Sequence, residues 1–245
     1  MQSVLPSSKK DVLVQLSFFA ACYLAYQMVR GYVQGTEQAA FWNATQIISW
    51  ESSMHLFVEP AVQSWSQGQD WLIGSANWIY LNSHYLISFS VLVWIYLKRH
   101  AYFAGIRNAF IAAMVMALIG YLVVPTAPPR MMPEWGFTDT IAQATGVHAE
   151  SSSAGGMVNF YAAIPSMHVC FALLLGGWSS FLVKPKIVKW LWLAYPLLII
   201  WVVIATGNHY LVDVLLGALT ALISVVLAAG LSTTRLARQN NQAAL

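Results

Sequence analysis

Six apolar runs, each near the roughly 20 residues a helix needs to cross a hydrocarbon core of about 30 Å, constrain this chain more than any other feature. They fall at 12–29, 77–97, 106–124, 168–183, 187–205 and 211–231, the fourth being short and starting from a Pro-Ser pair. Composition agrees, with 58% hydrophobic and only 9% charged residues, where a soluble domain carries roughly a quarter charged. Eleven Trp and eleven Tyr suit two membrane–water interfaces, where amphipathic rings settle. The expectation is an all-α, polytopic six-transmembrane helix bundle, a single integral membrane domain over 1–245. The net charge of +3 is too small to suggest nucleic acid. Cys22 and Cys170 lie in apolar stretches, so neither a disulfide framework nor a zinc site is expected. The first apolar run follows Met1–Lys10 and continues to about Val29 without a convincing small-residue cleavage site, which predicts an anchor and not a cleaved signal peptide.

Two connections are too long to be mere turns. Gly31–Ala76 contains a mixed apolar and polar stretch, Ala39–Trp65, predicted as an extra helical segment in the interface or packed on the bundle. Pro125–Pro165 is rich in Pro, Gly and Ser, and loops of that length are more often functional than not. The ends, Met1–Lys10 and Ser232–Leu245, read as short polar tails.

Charge then sets topology. With six spans, Lys9, Lys10, Lys98, Arg99, Arg107, Lys184, Lys186, Lys189, Arg235 and Arg238 share one side, leaving only Arg30 and Arg130 of the twelve basic residues on the other. Seven of the nine acids join that second side. The positive-inside rule places both termini in the cytoplasm, so the two long connections and the link at 206–210 face outward, across the plasma (inner) membrane if the source is bacterial. Arg107 is explained by this topology and receives no catalytic role.

Three outward segments hold polar groups that are costly near a membrane: Pro125-Thr-Ala-Pro-Pro-Arg130, Ala163-Ile-Pro-Ser-Met-His168 and Gly207-Asn-His-Tyr-Leu-Val-Asp213. His209 and Asp213 are four apart and share a helix face. The carboxylate can accept the Nδ1 proton, fix the tautomer and leave Nε2 free as a nucleophile; alternatively this is an interfacial His beside a capping Asp. His168 follows Ser166, a natural N-cap before first-turn N–H groups that suit an anion. It can act as acid and base toward leaving and incoming oxygens, or simply snorkel. Arg130 carries a planar fork that fits phosphate oxygens, or is an ordinary interface anchor. Asn208 adjoins the nucleophile. Tyr80 and His84, with Asn77, lie on one face of the second span and line a headgroup or acceptor pocket, or else bond between helices. Glu51, His55 and Glu59 at i, i+4 and i+8 read as the wet face of an interfacial helix or, more sharply, a metal site or headgroup pocket; two carboxylates and one His are a weak metal signal. The conjunction of nucleophile, orienter, acid/base and oxygen clamp predicts phosphoryl transfer needing no metal or other cofactor. A non-catalytic lipid-binding or transport protein is the rival reading, against which the nucleophile–orienter pair argues.

These motifs resemble those of the type 2 phosphatidic acid phosphatase superfamily over roughly Glu51 to Gly217. The turn ending at Arg130, the Asn159–His168 run and Thr206-Gly-Asn-His-Tyr210 are most similar to the branch of inositol phosphorylceramide synthase-like phosphotransferases. The resemblance implies a helical bundle acting on a lipid phosphate without metal through a phosphohistidine. On it, His209 is the nucleophile, Asp213 its partner, His168 the acid/base, and Ser166 and Arg130 hold phosphate. The chain departs from the superfamily pattern at Val202 and Val203 (usually Ser-Arg), Met167 (Gly), Val123 (Lys) and Met131 (Pro). The phosphate site therefore has fewer cations than is usual, which argues against a diphosphate and puts more weight on Arg130.

Overall fold

The computed structural model describes residues 9–32, 35–146 and 159–243. Among these the chain is helical: α1 (Lys9–Tyr32), α2 (Glu37–Ser53), α3 (Glu59–Gln67), α4 (Asp70–Lys98), α5 (His100–Val123), α6 (Thr140–Thr145), α7 (Met167–Leu182), α8 (Lys186–Ala205) and α9 (Leu211–Ala243). Beyond the helices and turns, one isolated bridge joins Thr126 to Ala162. Five helices are long and apolar enough to cross a membrane: α1 from Val12, α4, α5, α8, and α9 as far as Gly230. The sixth expected span is α7, apolar but only 16 residues long, or about 24 Å at 1.5 Å per residue. Its start is fixed by the Ser166 cap and its end by the extended Val183 ahead of Pro185. Two other boundaries differ from expectation. α4 begins seven residues early, at Asp70, because hydropathy overlooks a polar first turn. α9 runs on through the expected C-terminal tail to Ala243, a stretch with Ala, Leu, Arg and Gln, which all favour helix.

The extra segment expected at Ala39–Trp65 is two helices. α2 stops at Ser53, Met54 caps it, and His55 takes a left-handed φ of 56°. Pro60 then sits in the first turn of α3. The break overturns the reading of Glu51, His55 and Glu59 as one wet helix face: Glu51 and Glu59 are 1% and 0% exposed, while His55 faces solvent. Nor do the three form a metal site, since no group of three His, Cys, Asp or Glu residues suited to a metal occurs among the described residues.

The two glutamates instead meet the start of α9. A helix N-terminus leaves its first N–H groups without intrahelical acceptors, and here carboxylates take them. Tyr210 N–H donates to Asp213 Oδ2 (2.9 Å), Leu211 N–H to Glu59 Oε1 (2.8 Å) and Val212 N–H to Glu51 Oε1 (2.8 Å). Negative charge is also favoured there by the helix dipole. The second oxygens, Oε2 of Glu51 and of Glu59, are buried without another donor. The two carboxylates thus satisfy one another only when one carries a proton.

Around this anchor the bundle packs through small residues, as membrane helices do where backbones approach closely. Ala109, Ala113 and Ala117 form a fully buried stripe on α5, the helix against which both α1 and α9 lie. Pro196 has no N–H, which deprives the Trp192 carbonyl of its helical donor. Gly176 of α7 approaches that carbonyl so closely that a Cβ would lie 2.6 Å from it. Gly217 of α9 is pressed likewise against the Ser166 carbonyl, and Ser166 N–H donates to Asp213 O at 3.1 Å. The outer faces are apolar: Phe89, Leu122, Leu191 and Leu222 are each more than 60% exposed, a belt far larger than the apolar patches of soluble monomers.

Gly217→Val forces α9 away from Ser166 and should cost about 1–3 kcal/mol, the usual range for overpacking, lowering the thermal midpoint in detergent. Gly105→Ala, where a Cβ meets nothing, should leave it unchanged.

Burial, reinforced by Glu59, pushes the Glu51 carboxyl from its ordinary 4.5 up to about 9. The folded protein therefore keeps a proton that the unfolded chain releases, so the stabilisation is complete at low pH and is lost as pH rises toward 9. The thermal midpoint of the wild type should fall between pH 5 and pH 9. Glu51→Gln keeps an acceptor for Val212 N–H and a donor for Glu59, and should flatten that dependence; an equally steep fall in the variant would refute the shared proton.

Candidate active site

Antiparallel helices bring one set of ends together. The C-terminal parts of α1 and α5, the middle of α4, the first turn of α7, the loop before it, the Arg130 turn and the link between α8 and α9 contribute residues to a single cavity of about 70 Å3. That is several times the roughly 10–15 Å3 that one water requires.

At its floor, His209 Nδ1 lies 3.2 Å from Asp213 Oδ2, with His209 5% and Asp213 0% exposed. Asp213 belongs to the first turn of α9, and the same Oδ2 accepts the Tyr210 N–H. The carboxylate is therefore fixed by backbone before it fixes the imidazole. With Nδ1 held, Nε2 is the nitrogen left for chemistry. His168, in the first turn of α7, presents its ring at 6.0 Å from that of His209, centroid to centroid. It stacks on Tyr80 at 4.4 Å and touches His84 at 4.6 Å. His84 in turn stacks on Phe171 at 4.9 Å. Aromatic packing thus sets the orientation of His168, where a carboxylate sets that of His209.

Arg130 stands on a short 3-10 turn, Pro129–Met131. Its backbone N–H donates to Gly207 O at 2.7 Å and its Nη1 donates to Asn208 Oδ1. Asn208 is held by Thr206, whose Oγ1 accepts from its Nδ2 at 2.8 Å. Asp139 Oδ2 lies 3.7 Å from Arg130 Nε, so part of the guanidinium charge is already offset. Gly207 has a φ of +66°, and a Cβ there would lie 2.5 Å from Gln63 Nε2 and 3.4 Å from Arg130 Cβ. The link between α8 and α9 can carry only glycine at that point and still admit the Arg130 turn.

Seven of the eight residues singled out from sequence as site residues meet here: His168, His209, Arg130, Asn208, Tyr80 and His84 line the cavity, and Asp213 supports it from beneath. Ser166 does not line it. Its hydroxyl accepts the Val169 N–H as the N-cap of α7 and is wholly buried, so it contributes the placement of that helix end. Asn77, on the same face as Tyr80 and His84, is bonded to Thr140 on both its amide atoms (2.9 and 3.0 Å) and holds the outer loop. Its face divides into one tethering residue and two cavity residues. Sequence reasoning overlooked the α1 side altogether. Tyr23, Tyr26 and Arg30 line the cavity as well. Their spacing at i, i+3 and i+7 was the available signal, as was Arg30 itself, one of only two basic residues that charge counting places on the outward side.

Beside the polar cavity lies an apolar groove of about 380 Å3, lined among others by Phe19, Leu86, Phe89 and Phe110. Tyr23, His84 and Tyr85 belong to both. The arrangement offers an oriented nucleophile, a second imidazole within reach of the same atom, a guanidinium for oxyanions and an apolar channel adjoining them.

No curated protein and no solved structure matches the chain. A family model does, over residues 45–227, a stretch that includes the His168, His209, Asp213 and Arg130 positions; the chain is a helical integral membrane protein of the PAP2 superfamily.

Proposed function

We propose that the chain is a lipid phosphatase or phosphotransferase that works through a phosphohistidine on His209. Superfamily membership supports a lipid phosphatase-type enzyme. The observation that carries the finer reading is the Asp213–His209 contact at 3.2 Å with the His168 ring 6.0 Å beyond. In the first step the His209 Nε2 lone pair forms a bond to phosphorus as the phosphorus–oxygen bond to the leaving lipid alcohol breaks. His168 gives that oxygen its proton, Asp213 stabilises the charge on His209, and Arg130 binds the non-bridging oxygens. In the second step His168 removes a proton from the acceptor, whose oxygen attacks phosphorus and frees His209. Water as acceptor gives hydrolysis. A lipid alcohol gives transfer of the phosphate with any headgroup it carries, the inositol-phosphate type being the expectation from the branch that the motifs resemble. All of this chemistry is within reach of the chain's own side chains, without a cofactor.

The adjoining apolar groove supports a lipid as the carrier of the phosphate, because a headgroup in the polar cavity leaves an acyl chain beside Phe19 and Phe89. The charge distribution supports an outward-facing site with cytoplasmic termini.

With radiolabelled phosphatidic acid in mixed micelles, His209→Ala should abolish both turnover and the acid-labile, base-stable label on the protein. His168→Ala should slow turnover roughly 10²–10⁴-fold, the usual worth of a general acid–base. Unchanged turnover and labelling in His209→Ala would sink the reading. Supplying a lipid alcohol distinguishes the two outcomes: a new labelled phospholipid marks transfer, and free phosphate alone marks hydrolysis.

Topology is open to a separate test in intact cells. A membrane-impermeant maleimide should label Glu134→Cys and spare Lys186→Cys, and the reverse pattern would place the site on the cytoplasmic face.

A further inference from the structure

The cavity described above would bind a phosphate dianion with a single guanidinium from the matched region, and that guanidinium is partly offset by Asp139. The remaining imidazoles and tyrosines that line it carry no fixed charge. In a cavity this enclosed by protein a dianion opposed by one discounted cation is poorly compensated, since desolvated charge is costly unless paired. The positions where the superfamily pattern places further cations hold Val123, Val202 and Val203.

A second cation does reach the cavity, from a different direction. Arg30, in the last turn of α1, lines it together with Arg130, His168 and His209. α1 lies wholly outside the matched residues 45–227. The Arg30 Nε atom is buried and has no hydrogen-bond partner. A buried, unpartnered donor on a partly buried guanidinium is costly for a fold to keep, and a ligand oxygen would relieve it. The neighbouring Tyr26 and Tyr121 hydroxyls bond to one another at 3.4 Å, which ties α1 to α5 beside the guanidinium and steadies its position.

We infer that Arg30 is the second phosphate-binding residue: α1 inserts its guanidinium opposite Arg130, and the two together clamp the non-bridging oxygens of the substrate phosphate. The inference rests on the phosphate reading given above and extends it to a residue that no superfamily motif contains. It also gives α1 a function beyond anchoring, since removing or displacing that helix removes half of the positive charge available to the substrate.

The test is binding of inorganic phosphate and of orthovanadate to the full chain in detergent, measured by calorimetry. Wild type, Arg30→Gln, Arg30→Lys, Arg130→Gln and Leu24→Ala are compared, the last altering an exposed α1 residue away from the cavity. Arg30→Gln should weaken both anions roughly 10–100-fold, in line with one charged hydrogen-bonding group, as should Arg130→Gln. Arg30→Lys should lose at least about fivefold, because a point charge does not reproduce the planar fork. Leu24→Ala should bind as wild type. If Arg30→Gln is not recovered folded, Arg30→Lys decides, and affinity within twofold of wild type overturns the inference. Full affinity in folded Arg30→Gln alongside loss in Arg130→Gln overturns the role of Arg30 and leaves the proposed function standing. Absence of anion binding in the wild type overturns both.

Discussion

The start of α9 is the constraint on which the rest depends. Three buried carboxylates, Asp213, Glu59 and Glu51, accept the N–H groups of Tyr210, Leu211 and Val212. Each comes from a different helix, α9, α3 and α2. Had these N–H groups been left to water, the helix would begin wherever local propensity allowed. Held by three acids, it begins at one residue and one rotation. That rotation places His209 just before the first turn and Asp213 directly beneath it. The pair that looks like a catalytic dyad is therefore also the cap, and its geometry is set by the same bonds that terminate the helix.

A second consequence concerns α7. Ser166 N–H is bonded to the Asp213 carbonyl, and Gly217 lets the two backbones touch. The helix that carries His168 is thereby registered against the helix that follows His209, so the 6.0 Å separation of the imidazoles follows from backbone contacts and not from side-chain flexibility. This is the kind of support that holds a reacting constellation to fractions of an ångström. Gln63 on α3 serves the outer loop in a similar manner, exchanging hydrogen bonds with Thr138 at 2.9 and 3.0 Å and so placing the Asp139 that faces Arg130.

Much of this was legible in the sequence, for reasons that differ by element. Apolar length marked the long helices because hydrocarbon permits little else. The helix ends that meet around His168, His209 and Arg130 followed from counting alternations along the chain. What escaped was whatever depends on pairing across the fold. The run at 39–65 does carry a breaker, Pro60, which suits the first turn of a new helix, but nothing local fixes the left-handed turn at His55 that separates Glu51 from Glu59. Glu51 and Glu59 look solvent-facing because isolated acids almost always are; only the unsatisfied N–H groups of α9 make their burial favourable. Ser166 is the N-cap that its position before α7 predicts, its hydroxyl oxygen accepting the Val169 N–H, but that it does not line the cavity depends on packing against α9. Arg30 stands out with Arg130 as an exception to the charge asymmetry, yet only the packing of α1 against the bundle brings it to the cavity.

The two-part cavity bears on whether the enzyme hydrolyses or transfers. The catalytic geometry is indifferent to the acceptor, since His168 would deprotonate water or an alcohol equally well. With the proposed phosphohistidine, the decision would lie in which acceptor reaches the phosphorus while that intermediate persists. On the mechanism proposed above, water would come from the polar cavity and a lipid alcohol past Tyr23, His84 and Tyr85, the residues shared with the apolar groove. A departing lipid chain seated in the groove would block the second route until it leaves. Transfer therefore requires that the first lipid leave and a second take its place before water attacks. That makes the competition one of exchange rates along α1 and α4 and not of active-site chemistry. On that reading, groove residues such as Phe19 and Phe89 would govern the product ratio more than His168 or His209.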